Sequence, residues 1–85
     1  MTIRFLDPFL RQYAKLPADV RKKVDRQVDY LSKDIRHPGI RAKKVANALD
    51  IWEARVDLHV RMTFRIEGDT LVFRKVGSHD MLRNP

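Results

Sequence analysis

The apolar residues change their period halfway along the chain, and that change decides which folds are open to it. Val20, Val24, Val28, Leu31 and Ile35 fall at steps of 4, 4, 3 and 4 residues, which lines one face of an α-helix. Past Ile40 the period drops to two. Trp52, Ala54 and Val56 alternate with Glu53, Arg55 and Asp57, and then Val60, Met62, Phe64 and Ile66 alternate with His59, Arg61, Thr63 and Arg65. That is the pattern of half-buried strands. Helices followed by strands, each with one apolar side, predict an α+β fold in which a two-helix hairpin packs on one face of a small, mainly antiparallel sheet.

Punctuation supplies the rest of the outline. Thr2 to Leu6 is rich in β formers and reads as a possible short N-terminal strand. Asp7-Pro8 reads as a helix start, with Asp7 as N-cap and Pro8 at the first helical position. Phe9, Leu10, Tyr13 and Leu16 give that helix its apolar side, Pro17 ends it, and His37-Pro38-Gly39 stops the second helix. Glu67-Gly68-Asp69 signals a hairpin turn. Strict alternation in the return strand, Thr70 to Val76, would put Leu71, Phe73 and Lys75 on one side and Val72, Arg74 and Val76 on the other. Gly77-Ser78-His79-Asp80 is expected to break this strand.

With 85 residues, the chain from 1 to 85 reads as a single domain. It has no cysteine, which excludes disulfide staples, thiol nucleophiles and iron–sulfur sites. No apolar run is long enough to span a membrane, and the start lacks a signal-peptide pattern, so a cytoplasmic protein is expected. Lys plus Arg number 18 against 11 Asp plus Glu, a formal charge of +7. Such a balance favours polyanionic partners.

The side chains that could act on a polyanion lie in the second half. Arg55 and Arg61 occupy the polar register of adjacent predicted strands, where paired guanidiniums suit phosphate. Arg65 and Arg74 read more readily as residues that solvate an exposed sheet face. His79 follows a strand end and could present an imidazole at the rim of a basic surface; a solvent-facing or capping histidine is the plainer alternative. His37 reads as incidental, and Trp52, alternating with Ala54 and Val56, reads as core before base-stacking platform. The three histidines, 22 and 20 residues apart with no paired carboxylates between them, do not form a metal motif. The glycines are isolated, so no phosphate-cradling loop is present. No cofactor is implied.

Ordered motifs point further. Ile51-Trp52-Glu53-Ala54-Arg55-Val56 through His59-Val60-Arg61-Met62-Thr63-Phe64, with Leu71 to His79 and the basic approach Lys43-Lys44-Val45, resemble the RelE/ParE superfamily of type II toxins. The resemblance covers nearly the whole chain. It implies a compact sheet packed by two helices and neutralisation by a cognate acidic antitoxin. It implies either metal-independent cutting of mRNA on the ribosome through a 2′,3′-cyclic phosphate, as in RelE- and YafQ-like members, or ParE-like inhibition of DNA gyrase. In the first case His79 matches an acid–base histidine of the YafQ type and Arg61 a phosphate-stabilising arginine. Arg55 and Lys75 fall at basic site positions. Lys43, Lys44, Arg74 and Arg83 are then expected to bind substrate or ribosomal RNA, with DNA met only through the antitoxin. Three departures stand out: Glu53 replaces a basic residue, Val60 replaces an aromatic one, and Leu82-Arg83-Asn84-Pro85 holds neither tyrosine nor phenylalanine. They keep a catalytically attenuated RelE-fold binding protein open as an alternative.

Overall fold

The computed structural model describes residues 1–33, 43–44 and 50–78, with Lys43 and Lys44 described through their backbone. The element order is β1 (Thr2–Phe5), α1 (Asp7–Ala14), α2 (Ala18–Lys33), β2 (Lys43–Lys44), β3 (Trp52–Arg55), β4 (Val60–Glu67) and β5 (Thr70–Ser78). They build one five-stranded sheet in the order β1-β5-β4-β3-β2. β1 runs parallel to β5, and the other described pairings are antiparallel. The expected helical hairpin on a mainly antiparallel sheet is the observed architecture, and the tentative first strand is real.

Local chemistry explains most boundaries. α1 starts one residue earlier than expected: Leu6, in extended conformation, is the N-cap and offers no side-chain bond. Asp7 is therefore not the cap. It lies in the first turn, where its charge favours the exposed amides of the helix end. Pro17 separates the helices, and its carbonyl accepts the Arg21 amide at 2.9 Å as α2 begins. Tyr13 Oη donates to Asp25 Oδ1 at 2.7 Å and ties the two helices together. Gly68 takes φ +60° in the β4–β5 turn, a conformation that favours glycine.

The core lies between the helices and one sheet face. Phe9 from α1 and Val24, Val28 and Leu31 from α2 meet Ala54, Val56, Met62, Phe64, Leu71, Phe73 and Val76. Phe73 is the hub. Its ring centroid lies 5.5 Å from Phe5, 5.7 Å from Phe9 and 5.6 Å from Phe64. Trp52 pairs with Phe64 across β3 and β4 and stacks on it at 6.4 Å, so its core reading holds.

The last strand departs from strict alternation, and the departure has a physical cause. Thr63 pairs with Lys75 while Phe64 pairs with Phe73, so Arg74 is the extra residue of a β-bulge. The bulge resets the phase. Val76 returns to the core beside Phe73, and Arg74 and Lys75 both stay off the core face. Without it, Lys75 would enter the core. Gln12 of α1 secures this stretch: its Oε1 accepts the Val76 amide at 2.9 Å. The strand also continues through Gly77 to Ser78, so Gly77 extends it instead of breaking it.

The β3–β4 connection is held by one carboxylate. Asp57 Oδ1 accepts the amides of His59 and Val60, both at 2.8 Å, and Lys23 Nζ lies 3.7 Å from Oδ2. Burial alone would raise the Asp57 pKa, but the two amides and the Lys23 and His59 charges together lower it. A lowered folded pKa stabilises the protein above the ordinary carboxylate pKa of about 4, and that contribution is lost as pH falls through the folded value. Asp57→Ala should therefore reduce the unfolding free energy by about 1–2 kcal/mol at pH 7. The difference from the parent should shrink below about pH 4, as urea titrations at several pH values will read.

Candidate nucleic-acid interface

The sheet face turned away from the helices collects the basic side chains, because every second strand residue must point there. Its rows follow from the register. Arg55, Arg61 and Gly77 form one row; Glu53, Thr63 and Lys75 the next, with Lys43 paired to Glu53 at the edge; Arg65, Val72 and Arg4 a third. This face is not simply open. Thr63 is 0% and Val72 1% exposed, and they form a floor beneath longer side chains.

Arg55 and Arg61 stand directly opposite each other on β3 and β4. Like charges at facing positions oppose pairing, so this placement works against sheet stability and favours an anion between them. Arg61 is anchored. Its Nη1 donates to the carbonyls of Asp57, Leu58 and Val60 at 2.6, 3.3 and 3.1 Å, and its Nε lies 3.8 Å from Glu53 Oε1. The guanidinium is thus fixed in orientation by the β3–β4 loop. Glu53, which replaces a basic residue of the motif, here offsets part of the Arg55–Arg61 repulsion.

Of the other expected site residues, Lys75 and Arg74 share this face through the bulge. The backbone of Lys43 and Lys44 forms the edge strand β2. His79 and Arg83 lie outside the described residues, as do His37, Pro38 and Gly39. Ser78, which precedes His79, pairs with Val60 beside Arg61. The Arg65 side chain is 43% exposed, in keeping with the solvating role expected for it, but each of Arg65 and Arg74 also keeps one nitrogen out of solvent. Arg74 Nη1 and Arg65 Nε are both buried and without a hydrogen-bond partner among the described residues. Burial, and then the Arg65 charge, pull the Arg74 pKa below the ordinary arginine value. Arg65 Nη2 does meet Glu67 Oε1 at 2.7 Å. The signal for this cluster was present in the chain: the apolar phase slips between Phe73 and Val76, and a slip marks a bulge.

On the opposite side of the molecule, Phe5, Phe9, Leu10, Tyr13 and Val28 line a cavity of about 300 Å³ between the helices and β1. Its walls are mainly apolar; Asp25 also lines it, with its carboxylate accepting the Tyr13 hydroxyl. No helix among the described residues is long and apolar enough to cross a membrane.

No protein-family model matches the sequence, and no curated protein matches it significantly. Solved structures do match. The chain is similar to the toxin in the RelB–RelE antitoxin–toxin complex of Methanococcus jannaschii, with a TM-score of 0.78 at 18% identity, over 93% of each chain. It is similar to the YoeB/ParE toxin of Agrobacterium tumefaciens, with a TM-score of 0.80 at 13% identity, over 93% of this chain and 99% of that one. The E. coli DinJ–YafQ toxin–antitoxin complex gives 0.78 at 13% identity, over 96% and 96% of the two chains. The chain therefore has the fold of the RelE/ParE toxin superfamily, as its motifs imply.

Proposed function

We propose that this chain, as one domain, is the toxin of a type II toxin–antitoxin system and cuts mRNA on the ribosome without a metal. The observation that carries this reading is Arg55 facing Arg61 on the helix-free side of a RelE/ParE-type sheet, with Arg61 braced by three loop carbonyls. A fixed guanidinium beside a second one suits a phosphodiester whose negative charge grows during reaction. In the step, a base removes the 2′-hydroxyl proton and the 2′-oxygen bonds to phosphorus. The bond from phosphorus to the 5′-oxygen then breaks, and an acid protonates that oxygen, leaving a 2′,3′-cyclic phosphate. His79 serves as acid or base, Arg61 stabilises the phosphorane, and Arg55 and Lys75 hold the phosphate. Lys43, Lys44, Arg74 and Arg83 bind flanking RNA.

The partner in this reading is an acidic antitoxin. Similar chains were solved in antitoxin complexes, and a chain of charge +7 attracts an acidic segment and speeds its encounter. The alternative of gyrase inhibition separates cleanly by experiment. The protein is induced in growing cells, and transcript 5′ ends are mapped by primer extension. Cuts inside translated codons support the proposal; intact transcripts with an induced DNA-damage response favour the ParE-like reading. Intact transcripts without that response favour an attenuated binding protein.

A further inference from the structure

We propose that Arg65 and Arg74 form a second anion subsite, separate from the Arg55–Arg61 pair, which takes a phosphodiester of the RNA strand flanking the cut. That the ligand is RNA rests on the function proposed above; the anion-binding character rests on the two arginines alone.

Three observations converge on it. The bulge at Arg74 is a local disruption of the β4–β5 ladder that leaves Arg74 without a partner residue in the register, on the same face as Arg65. Bulges of this kind re-aim side chains beside functional sites. Each arginine also keeps one buried N–H without an acceptor among the described residues, an arrangement that disfavours the empty state. Finally, the two positive charges repel each other across the buried floor of Thr63 and Val72, and Arg4, opposite Val72 on β1, adds a third. Among the described residues, Glu67 pairs with Arg65. A phosphate between Arg65 and Arg74 would relieve the repulsion, and a turn of each guanidinium toward it would bring the buried N–H groups to an acceptor.

The subsite cannot be an extension of the first. Arg61 and Arg65 are four residues apart on β4, roughly 13 Å at the strand rise, and their guanidiniums are held apart, Arg61 on the loop carbonyls that precede it and Arg65 on Glu67 beyond it. A strand crossing the face would meet the pairs through different phosphates.

The test uses the full chain and a short single-stranded 2′-O-methyl RNA, which binds but cannot be cut. Binding is followed by fluorescence anisotropy across a salt series, beside thermal unfolding, for the parent, Arg74→Met and Arg65→Gln. Each variant should bind RNA about 3–10-fold more weakly, with the slope of log affinity against log salt smaller by about 0.7, one single-strand phosphate contact. Arg74→Met should also unfold about 2–5 °C higher, because it removes an unsatisfied, repelled charge. Unchanged affinity and slope would overturn the proposal. So would a lowered unfolding midpoint in Arg74→Met, which would make Arg74 a structural residue. Arg74-dependent binding of a glutamate-rich peptide, with RNA binding unaffected, would assign the pair to a protein partner and overturn it as well. Failure of the cleavage reading is distinct: transcripts would stay intact while Arg74-dependent RNA binding remained.

Discussion

His79→Ala should slow mRNA cutting by roughly 10²–10⁴-fold, the usual contribution of a positioned proton-transfer group, and should relieve growth arrest. Antitoxin binding should persist, since the substitution leaves the arginines of the basic face in place. Isothermal titration against the antitoxin and primer extension on ribosome-bound transcripts read the two properties separately. His79→Gln gives a control, since an amide can hydrogen-bond but does not exchange a proton near neutral pH; it should be as slow as the alanine variant. Unimpaired cutting in both variants would remove His79 from the chemistry. The remaining catalysis would then have to come from charge stabilisation by Arg61 and Arg55.

The second large effect concerns the fold. Phe73 is fully buried and touches three other phenylalanine rings drawn from β1, α1 and β4. Phe73→Ala should cost about 3–5 kcal/mol, a large share of the 5–15 kcal/mol typical of a whole domain. Its unfolding midpoint should drop by roughly 15 °C or more. Phe5→Ala, at a ring that is 39% exposed, should cost far less. Circular dichroism during heating and urea titration checks both, and a loss below about 1 kcal/mol at Phe73 would contradict the hub.

How far the chain could be read in advance depends on the range of each interaction. The α2 face, the β3 and β4 alternation and the Gly68 turn are set by neighbours a few residues apart, so spacing alone revealed them. The facing of Arg55 and Arg61 followed from the same short-range register. Pairing of β1 with β5 joins residues almost seventy positions apart in parallel, which no local pattern encodes. The Leu6 cap was missed because Asp7-Pro8 looks like a cap when only side-chain chemistry is considered. The Arg74 bulge was legible as a phase slip but hidden by the assumption of unbroken alternation. The bracing of Arg61 by three carbonyls was out of reach, because it depends on how the Asp57 turn closes. The role of Glu53 changed for a similar reason: as a motif position it is a departure, whereas in the fold it is the carboxylate beside Arg61.

The central claim is that Arg55 and Arg61 hold the phosphate at which the strand is cut. Its most direct test is the structure of this chain bound to a ribosome whose A-site mRNA carries an uncuttable 2′-deoxy linkage. The expected result is one phosphate within about 3 Å of nitrogens from both Arg55 and Arg61, with the His79 imidazole on the same side. A phosphate seated against the helices, or a ribosome contact that leaves this arginine pair facing solvent, would contradict the account.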